Sequence, residues 1–164
     1  MVSMLPMAHM YGMMFEFIYV LCGGATVNFL GKTPTPSLLL GAMGELKPYL
    51  IITVPLVMEK IFKAGVLPIL DKPAMKVLTA IPGVDRIIFK KIRKTLLDKF
   101  GGNLQEIIMG GAALNPDVEK WFRKLKIPFT VGYGMTEAAP LLAYRQWKSF
   151  VPKSCGRAVD SAEV

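Results

Sequence analysis

The chain has 164 residues, 52% hydrophobic and 20% charged, a composition that excludes a disordered tail and fits one domain of ordinary size. Lys and Arg number 20 against 12 Asp and Glu, and the net charge of +8 favours anionic partners: nucleotides, phosphates, membrane surfaces or nucleic acid. Two cysteines, Cys22 and Cys155, lie far apart without a Cys-x-x-Cys pair, which argues against a disulfide framework or a cysteine-based metal site, and a single histidine, His9, excludes most histidine-containing ones.

The opening MVSMLPMAHMYG reads as the middle of a domain, at the end of a strand. No Lys or Arg precedes the first apolar stretch, so no secretory signal is visible. Residues 10–30 approach the apolarity of a membrane span, but Gly12, Glu16, Gly23, Gly24 and Asn28 interrupt it. The pattern predicts a buried helix over 10–21 and a strand over 25–30, where Thr26, Val27 and Phe29 favour extended backbone. Pro36 opens a helix to Leu46, since proline suits a first helical turn. Residues 49–54 are rich in β-branched side chains and read as a buried strand, and Pro55 opens a helix through Lys63.

Pro68, Pro73 and Pro82 cut the next stretch into short helices. Residues 86–100 form a strongly amphipathic helix, with Ile88, Ile92, Leu96, Phe89 and Phe100 on one broad face. Lys90, Lys91, Arg93 and Lys94 fall mostly on the other, and Gly101-Gly102 ends it. Residues 104–109 predict a strand. Asn115 and Pro116 make an N-cap and first position for a helix to about Lys126, and 128–131 predict a short strand. From Pro140 the chain leaves the main sheet. Strands alternating with helices predict an α/β fold, a mostly parallel sheet flanked by helices.

Ligands of such sheets collect beyond the carboxyl ends of the strands. Two of the predicted strands end there in glycine-rich loops: Gly110-Gly111-Ala112 and Gly132-Tyr133-Gly134-Met135-Thr136-Glu137. Parallel strands would bring both loops to one edge. Glycines on either side of Tyr133 let a flat ligand approach its ring. The Thr136 hydroxyl suits a phosphate, and Glu137 is an oxygen ligand suited to Mg²⁺. The same residues also read as a glycine-rich turn with an exposed tyrosine, and the glycine pair as a tight strand-to-helix turn.

VGYGMTEAAP, residues 131–140, closely resembles the adenine- and magnesium-binding signature of the adenylate-forming, AMP-binding acyl-CoA synthetases. MGGAAL at 109–114 resembles that family's second nucleotide loop, and LPMAHMYG at 5–12 its segment beside the acyl site. VPLVMEKIFK at 54–63 resembles long-chain fatty acid–CoA ligases in particular, and CGRAVDSAEV at 155–164 the entry to a small β-barrel. The five segments occur in the family's order.

The resemblance implies one subdomain of a synthetase N-terminal domain over residues 1–153 and the start of the following small β-barrel over 154–164. It implies fatty acid, ATP, coenzyme A and Mg²⁺ as ligands. Tyr133 would stack on adenine, Thr136 would contact the α-phosphate, Glu137 would hold Mg²⁺, and Gly132 and Gly134 would frame the base. Gly110, Gly111 and Ala112 would line the adenine and acyl pocket, with His9 near the carboxylate. Without the family, a lone histidine beside an apolar helix reads as structural.

The family's glycine-rich phosphate loop, ribose-binding Thr-Gly-Asp motif and C-terminal catalytic lysine have no counterpart in these residues. The chain therefore resembles an internal excerpt, which predicts an inactive isolated chain and exposed apolar surfaces that pair into a homodimer or higher oligomer. The expected location is cytoplasmic, with membrane-surface contact as one reading of the basic helix and a solvated face as another. No nucleic-acid signature accompanies the charge. The rival functions are another acid-activating ligase, or a membrane-surface or interaction module without a nucleotide site.

Overall fold

A computed structural model of the chain describes residues 1–160 and 162. β1 (Val2–Ser3) leads into a helix that begins as α1 (Met10–Gly12), widens to a π-helical stretch over Met13–Ile18 and closes as α2 (Tyr19–Cys22). β2 (Asn28–Phe29) returns to pair in parallel with β1. The strand expected over 25–30 is thus two residues long and lies outside the main sheet. Its partner is the chain start, where the Asn28 N–H donates to the Met1 carbonyl at 2.9 Å. A local β pattern cannot name that partner.

The Glu16 carboxylate in the π-helical stretch is wholly buried. It accepts bonds from Ser3 Oγ at 3.0 Å and from the N–H groups of Met4 at 3.0 Å and Leu5 at 2.9 Å. A buried charge needs such donors, and these tie the helix to the end of β1.

α3 (Pro36–Leu46) has Pro36 in its first turn and the Thr35 hydroxyl capping the Leu38 N–H at 3.3 Å. β3 (Leu50–Thr53) is followed by α4 (Pro55–Gly65), α5 (Leu67–Leu70), α6 (Pro73–Leu78) and α7 (Val84–Lys99). α7 starts two residues before its expected position, where Asp85 Oδ1 accepts from the Gly83 N–H at 2.9 Å. β4 (Glu106–Met109), α8 (Pro116–Lys124) and β5 (Phe129–Val131) complete the parallel sheet, whose order is β3-β4-β5. Leu50 pairs with Glu106, and Ile107 with Phe129. The Asn115 side chain caps α8 through the N–H groups of Asp117 and Val118.

The core lies between this sheet and the helices. An aromatic row runs through it, Phe62 to Phe122 at 5.4 Å, Phe122 to Phe129 at 5.4 Å and Phe129 to Phe150 at 4.7 Å. It joins α4, α8 and β5 to the segment beyond the sheet.

One residue, Gly132, separates β5 from β6 (Tyr133–Gly134), which opens a second, antiparallel sheet with β7 (Leu141–Tyr144) and β8 (Arg157–Ala158). Glu106 braces the two sheets, accepting from Tyr144 Oη at 2.9 Å and from the Trp147 N–H at 2.7 Å. The Thr130 hydroxyl donates to the Arg145 carbonyl at 2.6 Å. Of the segment expected to start a β-barrel, residues 161, 163 and 164 lie outside the described residues. Among the described residues no helix is long and apolar enough to cross a membrane. Cys22 and Cys155 are free and exposed.

Candidate functional site

β4 and β5 run parallel and side by side, so the loops that follow them leave the sheet at one end. Gly111 from the first loop and Gly132, Tyr133, Gly134, Met135 and Thr136 from the second line one cavity of about 360 Å³. That volume is within the usual range of small-molecule sites. Leu50, Ile52 and Ile108 supply its sheet wall. Ile52 and Ile108 are register partners, and side chains two apart along a strand share a face.

The opposite wall comes from the first helix, through Tyr11, Phe15 and Tyr19. Tyr11 is the best anchored of them. Its hydroxyl donates to the carbonyls of Thr53 at 3.2 Å and Ile108 at 3.4 Å, across the ends of β3 and β4. Its ring meets Phe15 edge to face at 5.6 Å. A Cβ on Gly110 would lie 3.0 Å from the Tyr11 ring, so Gly110 makes room for the tyrosine and does not itself line the cavity.

His9 lines the cavity and caps α1, its Nδ1 accepting from the Tyr11 N–H at 3.1 Å. That bond leaves Nε2 as the protonated nitrogen of the neutral ring. Tyr133 is 49% exposed, so a ring face is free to receive a ligand. Gly134 is fixed by close approach, because a Cβ there would overlap the Pro140 carbonyl where β7 begins. Ala112 and Glu137 are exposed and lie outside the cavity lining.

Burial pushes the Glu16 carboxyl above its ordinary value, against the three donors that favour its charged form. Burial also pushes the Tyr11 phenol up, with the Glu16 charge adding to the effect. Burial and the Glu106 carboxylate raise Tyr144, which lines the same cavity. Among the described residues no group of three or more His, Cys, Asp or Glu side chains could hold a metal alone. Glu137 is a single exposed carboxylate, a donor set that fits Mg²⁺ carried mainly by phosphate and water.

Sequence reasoning missed Tyr11, Phe15, Tyr19, Glu16 and Tyr144. Glu16 left a signal: an acid inside an apolar helix must find donors or be expelled. Tyr11 lay within the segment 5–12 that resembles the family's acyl-site segment, but Phe15 and Tyr19 left no signal, because an apolar helix shows which residues are buried and not which side faces a cavity.

The sequence profile of the family described as "AMP-binding enzyme" matches residues 1–164. Long-chain-fatty-acid–CoA ligase 3 of Saccharomyces cerevisiae is 32% identical over 152 residues, covering 82% of this chain and 21% of its own length. Long chain acyl-CoA synthetase 1 of Arabidopsis thaliana is 31% identical over 157 residues, covering 82% of this chain and 23% of its own. The chain therefore spans about a fifth of the length of these curated relatives. In fold it is similar to o-succinylbenzoate CoA synthetase of Bacillus subtilis, solved with an acyl-adenylate intermediate. That match has a TM-score of 0.67 and 16% identity, over 98% of this chain and 26% of the other.

Proposed function

The chain belongs to the AMP-binding enzyme family, and on that premise we propose that it forms the adenine- and acyl-facing part of a long-chain fatty acid–CoA ligase. Such an enzyme joins a fatty carboxylate to the α-phosphate of ATP, releasing pyrophosphate, and then passes the acyl group to the thiol of coenzyme A, releasing AMP. The observation that carries the reading is that Gly111 and the Tyr133–Thr136 turn line one cavity at the carboxyl end of a parallel sheet. The relatives named as long-chain ligases support the choice of a fatty acid over other acids.

In this reading Tyr133 offers its ring face to adenine between Gly132 and Gly134, which add no side chain beside it. The Thr136 hydroxyl donates to the α-phosphate. Glu137 holds Mg²⁺, which would offset the negative charge of the phosphates. Gly111 leaves backbone against the ligand, Gly110 and Ala112 shape its loop, and Ile52, Ile108 and Phe15 offer apolar surface to the acyl chain. His9 orients the carboxylate through its Nε2 proton. It is not needed as a base, because a fatty carboxylate is already ionised near neutral pH.

Thermal unfolding with a non-hydrolysable acyl-adenylate tests the reading. Ligand at 100 times Kd stabilises a fold by about 2.7 kcal/mol. For a domain of this size that is a rise of roughly 5–11 °C in Tm. The expected result is a rise lost in Tyr133→Ala. A rise that Tyr133→Ala leaves unchanged, with Thr136→Val equally silent, would remove this cavity as the nucleotide site.

A further inference from the structure

A second cavity lies on the far side of the helical layer. It is an open groove of about 370 Å³ between α4, α6 and α7, and shares no lining residue with the first. Ile61 and Val66 give it an apolar wall beside α4, Met75 and Leu78 a second from α6, and Ile88 and Ile92 a third from α7. Leu78 is 40% and Ile69 42% exposed at this groove, so apolar surface stands open to water there. Apolar surface gathered in a groove marks an interaction site or a ligand-binding groove.

Among the described residues the polar lining of the groove comes from one helix. Lys91, Thr95 and Lys99 line it at four-residue intervals along α7, which puts them in one row about 12 Å long at 1.5 Å per residue. Lys91, expected on the mostly basic face, is exposed and lies where that face borders the groove. Neither lysine has a carboxylate within ion-pair distance among the described residues. Arg93 of the same helix is committed elsewhere, its Nε donating to the Lys126 carbonyl at 2.9 Å.

An apolar trough beside a hydroxyl and two unpaired ammonium groups has one complementary shape of ligand: a single apolar chain with an anionic head. We propose that this groove binds a free long-chain carboxylate, at a site separate from the cavity assigned above to acyl activation. The chain lies between α4 and α6, and the carboxylate rests on the row of Lys91, Thr95 and Lys99. The inference does not rest on the nucleotide reading, since neither cavity borrows a residue from the other.

Gly65 supplies the test. It lines the groove, and a Cβ built there meets nothing within 4 Å, so a side chain can be added at the groove without a clash at its root. Equilibrium binding of palmitate to the full chain, below its micellar range, is measured for the wild type, Gly65→Phe and Lys91→Gln/Lys99→Gln, with Tm as the check of folding. Gly65→Phe is expected to lose one palmitate equivalent while keeping its Tm. The double lysine variant is expected to weaken that equivalent about tenfold and to lose the dependence of affinity on salt.

Palmitate binding unchanged in both variants overturns the proposal. So does association with phosphatidylserine-containing vesicles that needs Lys91 and Lys99 while free palmitate does not bind, which would assign the face to a bilayer. A dimer broken by Gly65→Phe with no palmitate bound would overturn it in favour of a second copy of the chain.

Discussion

The phenol of Tyr11 donates a 3.2 Å hydrogen bond to the carbonyl of Thr53, the last residue of β3. The same carbonyl accepts from the Gly110 N–H at 3.2 Å, so one oxygen joins the first helix, β3 and the loop after β4. Tyr11→Phe keeps the ring against Phe15 and Gly110 and removes only the hydroxyl. Its expected cost is about 0.5–1.5 kcal/mol in urea unfolding. A loss as large as that of Tyr11→Ala would show that the hydroxyl carries the whole effect.

Gly134→Ala places a methyl group on the Pro140 carbonyl, which is backbone and cannot rotate away. The pairing of β6 with β7 must shift, at an expected cost of about 1–3 kcal/mol. The shift moves Tyr133, so the acyl-adenylate response weakens with stability. Unchanged stability and unchanged ligand response would contradict the close approach.

Glu16 gives a pH signature. Its carboxyl is held above its ordinary value in the fold, so folding retains a proton there that the unfolded chain releases. The stability it contributes is full below the ordinary carboxyl value of 4.5 and is lost as pH rises through the raised one. Glu16→Gln replaces an acceptor with an amide whose N–H groups oppose the Ser3, Met4 and Leu5 donors, and it is less stable by about 1–3 kcal/mol. The gap between wild type and variant should narrow as pH rises from 4.5. A gap that widens over the same range would mean that the donors, not burial, set the ionisation.

The purified 164-residue chain is expected to form no acyl-CoA from palmitate, ATP and coenzyme A. The proposed reading gives the phosphates of ATP only Thr136 and, through Mg²⁺, Glu137, which leaves pyrophosphate without an organised leaving site. ATP-dependent product formation abolished by Glu137→Ala would overturn that expectation.

Much of the frame was legible because local chemistry sets it. Thr35-Pro36 and Asn115-Pro116 fix the starts of α3 and α8 through one side-chain bond and one locked φ each. The two glycine-rich loops could be placed at one edge once their strands were read as parallel. What stayed hidden depends on distant partners. Asn28–Phe29 joins β1 and not the main sheet because Met1 lies beside it. Glu16, within the π-helical stretch, reaches donors at residues 3–5, and no periodicity within 10–22 encodes those bonds. That Lys91 shares a groove with Met75 and Leu78 depends on α6, which the pattern of α7 alone does not show.

The single residue between β5 and β6 has a mechanical consequence. Tyr133 rides on the antiparallel sheet, whereas Gly111 follows the parallel sheet directly, so the two sides of the cavity belong to different sheets. Gly132 is the joint between them, its N–H donating to the Met109 carbonyl at 2.8 Å, and Glu106, holding Tyr144 and Trp147, ties the sheets together. That tie sits at Glu106, the first residue of β4, whereas the cavity's loops lie past Met109 at the strand's other end. The spacing of Tyr133 from Gly111 is therefore set away from the cavity, by the Glu106 bonds and by the contact of Phe129 with Phe150 that hold one sheet to the other.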